Sequence, residues 1–350
     1  MITGKIKSTL RQFAAEAYYT SKHFLKRLRG KVLILTYHRV LPGKERNQQF
    51  IQPGMYVQNN VFEKQMLFLE KYFSILSFAE LLDLWNKETL RKDQRYCVIT
   101  FDDGWLDNYI YAYPILREHN IPATIFLPVV FIGTNQWFWP DKIGYILRQC
   151  DFDSLTMVNK EFITLLRRRY PWMKQLNGVR HNEEIDLLIN ICKGQPEEEI
   201  HDFIMQMTKN FNLDFPDERV LINWDEVEEM SQHGIAFGSH SSTHKILTKL
   251  PAKESQKEIE ESLYILRQKN INYIPIFCYP NGNYNQEIIR QVKAADYQAA
   301  VSTRFGFEDG LPQDLFCLKR ISIHNDIAMT IPLFAFHISG MNYPIKSYIV

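Results

Sequence analysis

The chain has 350 residues, 45% of them hydrophobic and 23% charged, a composition ordinary for a globular protein. With 41 Lys and Arg against 40 Asp and Glu, the formal net charge is +1, which excludes both a wholesale basic nucleic-acid binder and an acidic disordered chain. A chain this long buries a full core unaided, and its five cysteines (Cys97, Cys150, Cys192, Cys278, Cys317) form no C-x-x-C pair, so they read as free thiols.

Residues 1–30 read as a basic amphipathic helix. Ile6, Leu10, Phe13, Ala17, Phe24 and Leu28 recur at near-helical spacing. Around them stand Lys5, Lys7, Arg11, Lys22, Lys26, Arg27, Arg29 and Lys31, with Glu16 the single acid. Such a helix packs on the body with a solvated basic face, or it lies on an anionic membrane surface. Residues 1–31 hold no continuous apolar stretch of the signal-peptide kind, and no run of roughly 18 apolar residues occurs anywhere. The expected location is cytoplasmic, with peripheral contact to the inner membrane surface under the second reading.

From residue 31 to about 335, β-rich runs alternate with helical patterns. The runs are Val32–Tyr37, Tyr96–Phe101, Ala123–Val129, Ile235–Gly238, Tyr273–Tyr279, Gln298–Ser302 and Phe316–Ile323. Helices are expected over Val61–Tyr72, Leu106–His119, Trp224–His233 and Ala252–Lys269, the last with Ser255 and Glu258 spaced as a capping box. Repeated strand–helix–strand units imply a parallel sheet. About seven of them point to an α/β fold, a distorted (β/α) barrel. The stretch from about 140 to 220 breaks this rhythm: it is helical in pattern and carries the charge runs Arg167–Arg169 and Glu197–Glu199, so it reads as a helical insertion with solvated faces. Residues 336–350 read as a C-terminal tail.

The strand ends carry the polar residues. His38, Asp102 and Asp103, His240, Tyr279 and Asn281, and His324 each follow an apolar run. In a parallel barrel these ends share one face, the one that bears active sites. Asp102 and Asp103 can take different roles there, one on a metal and one free as a base. His240 and His244, four apart, are read as sharing one face of a helical turn, a common metal-ligand spacing. No Glu follows His240, so the H-E-x-x-H pattern is absent. One carboxylate with two imidazoles makes a three-ligand site with open positions, the plan of a catalytic metal.

Thr100-Phe101-Asp102-Asp103-Gly104 together with His240-Ser241-Ser242-Thr243-His244 closely resembles the polysaccharide deacetylase family of NodB-type domains, carbohydrate esterase family 4. Tyr37-His38-Arg39-Val40 resembles that family's opening strand in one branch. Phe277-Cys278-Tyr279-Pro280-Asn281-Gly282 resembles its third motif and Leu318-Lys319-Arg320-Ile321 its closing strand. The resemblance implies metal-dependent removal of an N-acyl group, usually acetyl, from an amino sugar. Asp102 would be the general base, and Asp103, His240 and His244 would hold a divalent metal, zinc being the first expectation. His324 is the candidate acid by its motif position and His38 the competitor. A backbone N–H near Tyr279 is expected at the oxyanion.

Two departures from the family stand out. Cys278 occupies the place of the arginine that orients the base, with Arg320 as the candidate substitute, and the family's Asp-x-x-Trp is not recognisable near Asp296. Tyr279, Pro280, Asn281, Gly282 and Trp105 are the expected substrate-binding residues; Trp137, Phe138, Trp139 and Tyr284 are further aromatics able to stack on sugars. The implied partner is an N-acetylated amino-sugar glycan or a lipid- or nucleotide-linked precursor. Two alternatives remain: an inactive carbohydrate-binding module on the same scaffold, and a metal amidase or deformylase acting on another amide.

Overall fold

The computed structural model describes residues 2–45, 51–149, 160–175 and 182–341. Cys150, the side chains of Lys5, Ile6 and Lys7, and residues 342–350 of the expected tail lie outside that description. The chain divides into two compact units. One draws on the chain up to Pro42, on Gly54–Thr134 and on the chain from Val220; the other comprises Gly43–Pro53 and Asn135–Arg219.

The first unit is built on seven parallel strands: β1 (Lys31–Tyr37), β2 (Tyr96–Phe101), β3 (Ala123–Leu127), β4 (Ile235–Ser239), β5 (Tyr273–Cys278), β6 (Ala299–Phe305) and β7 (Leu318–Ser322). They run in the order β1-β7-β6-β5-β4-β3-β2, and β2 pairs back onto β1, so the sheet closes into a distorted (β/α) barrel. The closing pair is the longest ladder, from Val32 opposite Tyr96 to Tyr37 opposite Phe101.

The strands are apolar at successive positions because both faces are covered. Residues at period two then sort into two sets. Val32, Ile34, Tyr96, Val98, Phe126, Ala236, Ile276, Cys278, Ala299, Val301 and Leu318 fill one cluster, which the helix Phe78–Asn86 joins through Phe78, Leu81, Leu82 and Trp85. Leu33, Leu35, Tyr37, Cys97, Ile99, Phe101, Ile125, Leu127 and Phe237 belong to a second cluster shared with the surrounding helices. The first set is the barrel interior. Continuing its parity toward the strand ends gives Thr36, Thr100, Asp102, His240 and Arg320, so the interior turns polar where the strands stop. Gly238 is required within it: a Cβ there would sit 2.6 Å from the Phe126 ring.

Two sequence expectations on helices fail. Ser255 and Glu258 do not cap Ala252–Gln268, whose N-cap is Pro251; Ser255 is buried inside the first turns and donates to the Gln291 side chain. The capping boxes are Ser77 with Glu80 and Asn223 with Glu226. Leu106–His119 is not one regular helix: Asn108–Ala112 winds as a π-helical turn before Tyr113–Glu118. A helix over Ile331–Ile338 crosses the expected tail boundary at 335.

The second unit is helical. Trp139–Gln149, Lys160–Arg169, Asn182–Cys192 and Glu197–Phe211 surround a core that includes Ile146, Tyr170, Trp172, Ile189, Phe203 and Met207. Arg167, Arg168 and Arg169 face solvent.

Candidate active site

Asp102 extends the β2 ladder by one residue, its N–H donating to the Tyr37 carbonyl at 3.0 Å. That keeps its side chain on the interior parity. There the guanidinium of Arg320, from β7, meets it as a fork, Nη1 to Oδ1 and Nη2 to Oδ2, both at 2.7 Å. Arg320 is 1% exposed, among the largest fully buried side chains. The remaining donors are also satisfied: Nε on the Ser302 carbonyl at 2.9 Å, Nη1 on the Thr36 hydroxyl at 3.0 Å, and Nη2 on the Cys278 sulfur at 3.2 Å. The small thiol of Cys278 leaves room for a guanidinium that arrives from another strand. Burial pushes the Asp102 carboxyl up, but the charge and hydrogen bonds of Arg320 outweigh it and hold the group below its ordinary value. Asp102 therefore stays ionised through neutral pH.

Asp103 leaves the strand. Its φ of 74° is left-handed, and this turns its carboxylate away from Arg320 and toward β4. Gly104 continues the turn at φ 67°, where a Cβ would meet Leu127 at 2.8 Å. Oδ1 of Asp103 lies 3.4 Å from His240 Nε2 and 3.2 Å from His244 Nε2. Oδ2 accepts from the Trp105 indole at 3.0 Å.

His240 and His244 converge through a loop, not the helical turn expected from their spacing. Ser241 and His244 have φ of 63° and 61°, which costs on the order of 1 kcal/mol or more at each non-glycine residue. Side chains hold this shape. Ser241 Oγ accepts from the His244 N–H at 2.9 Å. Glu258 takes the Thr243 N–H at 2.7 Å and the Thr243 hydroxyl at 2.5 Å. The Glu258 role was invisible in the sequence, where its spacing from Ser255 suggested a cap; no local pattern marks a carboxylate that reaches a loop fifteen residues earlier.

The donor set fits a divalent cation. One ligand atom from each of Asp103, His240 and His244 lies within 4.8 Å of the others. Nδ1 of His240 sits 2.8 Å from the Cys278 carbonyl, so it carries a proton and leaves Nε2 as the atom that would face a metal. Asp102, His240 and Cys278 form a second such group, but Asp102 has both oxygens on Arg320, and burial raises the Cys278 thiol and keeps it protonated. The Asp103 group is the better candidate for a metal centre.

His38 follows β1, and its Nε2 is 3.9 Å from Asp102 Oδ2. Burial lowers its pKa against the opposing pull of Asp103 and Asp102. His324 caps the short helix Asn325–Ala328, with Nδ1 3.3 Å from Asp326 and Gly54 beside its ring. The structure gives it no contact with the carboxylate pair.

The expected sugar platforms need correction. Trp105 is 3% exposed; besides donating to Asp103 it stacks under Arg39 at 4.5 Å, and Arg39 is paired with buried Asp107 at 2.8 Å. A residue this buried supports the Asp103 carboxylate and does not offer a free face. Tyr279 is 1% exposed, its ring stacks on Tyr284 at 5.0 Å, and its hydroxyl donates to the Phe316 carbonyl. Its N–H donates to the Val301 carbonyl at 3.3 Å, continuing the ladder. Pro280 is buried, Asn281 is exposed at φ 55°, and Gly282 packs where a Cβ would overlap Thr303.

Comparison with known proteins agrees with this architecture. A family model described as polysaccharide deacetylase matches residues 89–165 and 198–300, just over half of the chain, and spans Asp102, Asp103, His240 and His244. The Bacillus subtilis (strain 168) protein YxkH, assigned as a polysaccharide deacetylase, is 22% identical over 296 residues, covering 84% of this chain and 72% of its own. Among solved structures, Streptococcus pyogenes deacetylase PplD in complex with acetate superposes with a TM-score of 0.55 at 18% identity, covering 90% of this chain and 99% of that one. IcaB from Ammonifex degensii gives 0.54 at 15%, covering 87% and 97%. The Bacillus cereus polysaccharide deacetylase BC0361 gives 0.53 at 19%, covering 88% and 69%. A closed seven-strand barrel, an Asp-Asp pair whose second member faces two histidines and a family match across all four residues lead to one assignment: the chain belongs to the polysaccharide deacetylase family.

Proposed function

We propose that this chain is a divalent-metal-dependent hydrolase that removes an N-acetyl group from an amino sugar in a glycan or glycan precursor. One observation carries the reading. Asp103 Oδ1 stands between two imidazole Nε2 atoms, at 3.4 and 3.2 Å, while the adjacent Asp102 is held apart by Arg320. Asp103, His240 and His244 would hold the cation, and zinc suits two nitrogens and one oxygen. When bound it would supply Lewis acidity toward the acyl carbonyl and acidify a water.

The protein's own groups do the proton work. Asp102, ionised and fixed in orientation by the guanidinium fork, accepts the proton of the attacking water. Arg320 is a positioning residue in this scheme. His38 passes to the departing amine the proton that Asp102 took from the water, and the C–N bond breaks to give acetate and the free amino sugar. Its 3.9 Å approach to Asp102 favours it over His324.

The test is metal content and acetate release measured together, on a panel of N-acetylated amino sugars. Wild type binds metal and releases acetate. Asp102→Asn keeps the metal and loses turnover; Asp103→Asn loses the metal. His38→Ala lowers turnover far more than His324→Ala. If Asp102→Asn loses the metal and Asp103→Asn keeps it, the roles are reversed. Bound metal with no acetate from any substrate points to a binding module, and release of formate or of a non-sugar amine to the amidase reading.

A further inference from the structure

We infer that the N-terminal helix docks this protein peripherally on an anionic phospholipid surface. The helix Ile2–Thr20 is anchored by one face. Ala15 is fully buried, Tyr18 meets Phe336 edge-on at 5.5 Å, and Tyr19 stacks on Phe24 at 5.8 Å. Arg11 donates to the Ile327 carbonyl at 2.6 Å and Gln12 to the Thr330 hydroxyl at 3.4 Å. Positions 11, 12, 15, 18 and 19 thus make the body-facing stripe.

Of the expected apolar stripe, Phe24 and Leu28 are buried, but Leu10, Phe13 and Ala17 are on the other side. Leu10 is 63% exposed and Phe13 69%, and Ala17 is exposed one turn on. This spacing sets them along one line of the helix. Met329, 53% exposed and next in the chain to Thr330, lies at the same end. A helix already seated through polar and aromatic groups therefore presents its large apolar side chains to water, which favours removal of that surface. No described helix is long and apolar enough to cross a membrane, so the contact is with a surface.

Charge decides the occupant. Residues 1–31 contain eight Lys and Arg and one acid, Glu16. Lys22, Lys26 and Arg29 are exposed just beyond the helix, and Glu16 is hydrogen-bonded to Gln12. A second copy of this chain would bring the same positive charge against itself. Exposed apolar side chains on a segment with eight cations and one acid match the headgroup and acyl boundary of an anionic bilayer.

Co-sedimentation of the full chain with phosphatidylcholine vesicles, with and without phosphatidylglycerol, tests this. Binding is expected to the anionic vesicles alone, to weaken at high salt, and to fall about tenfold or more in a Leu10→Ser, Phe13→Ser double variant. That variant changes solvent-facing side chains only, so its melting temperature should match wild type. The inference is overturned if anionic vesicles leave the protein in solution, or if the double variant binds them as well as wild type. It is also overturned if light scattering finds a dimer that the double variant abolishes. Each outcome is independent of the metal-centre reading.

Discussion

Asp102 and Asp103 are neighbours in the chain with opposite surroundings. Asp102 continues a strand, points into the barrel and meets a permanent cation that satisfies both its oxygens. Asp103 leaves the strand through a left-handed residue and faces two imidazoles and an indole N–H. One residue of backbone therefore separates a charge-paired, orientation-locked carboxylate from one set between two imidazoles. The lesson is that identical side chains acquire distinct chemistry from what the neighbouring strands bring to them.

The sharpest way to break this comparison is Arg320→Ala. It leaves Asp102 buried without its counter-charge and is expected to cost about 3–5 kcal/mol in urea unfolding, with acetate release lost while metal affinity changes little. Arg320→Lys keeps a charge but not the fork, and should recover stability more than turnover.

Acid titration would seem a natural way to distinguish the two carboxylates, but His337 overlays it. This residue is buried, with Nε2 on the Ser322 carbonyl at 2.9 Å, and burial pushes its pKa down from 6.5 to about 4. Above pH 6.5 it contributes nothing. As pH falls from 6.5 toward 4 the unfolded chain takes up a proton that the native state refuses, so stability drops by up to roughly 3 kcal/mol. Unfolding measured across that window should flatten in His337→Gln; an unchanged slope would refute the assignment.

Trp105→Phe sharpens the Asp103 side. It removes the donor to Oδ2 while keeping an aromatic ring, and should weaken metal affinity by about tenfold or somewhat more in a chelator competition, with Asp102 undisturbed. Glu258→Ala acts one step further out, through Thr243 and the histidine loop. A loss of metal affinity of about tenfold or less is expected, partly restored by Glu258→Gln; no change would mean the loop holds itself.

The sequence made much of this legible, for local reasons. Strands buried on both faces appear as unbroken apolar runs, so seven of them could be located and their polar ends collected on one face. The Asp-Asp and His-x3-His residues stood out by type and spacing. Arg320 was legible as a candidate because Cys278 holds the place of the family's arginine and Arg320 stands near another strand end. What failed depended on direction. Trp105 and Tyr279 look like sugar platforms by residue type, yet both are buried and spent on internal hydrogen bonds. The spacing of His240 and His244 suits a helical turn, but Ser241 and His244 adopt left-handed backbone that only distant Glu258 and local Ser241 make sustainable. Leu10 and Phe13 follow a core-facing period, and the body chose the other face of the helix.

By itself, then, the sequence determined the strand set, the parallel barrel and the list of ionisable residues at its mouth, because hydrophobic periodicity and residue chemistry are properties of neighbours along the chain. Only the tertiary structure decided which carboxylate met Arg320 and which met the histidines, and which helix face stayed in water. Those outcomes depend on groups more than a hundred residues apart, such as Asp102 and Arg320, whose separation of 2.7 Å is fixed by closure of the barrel and by nothing local.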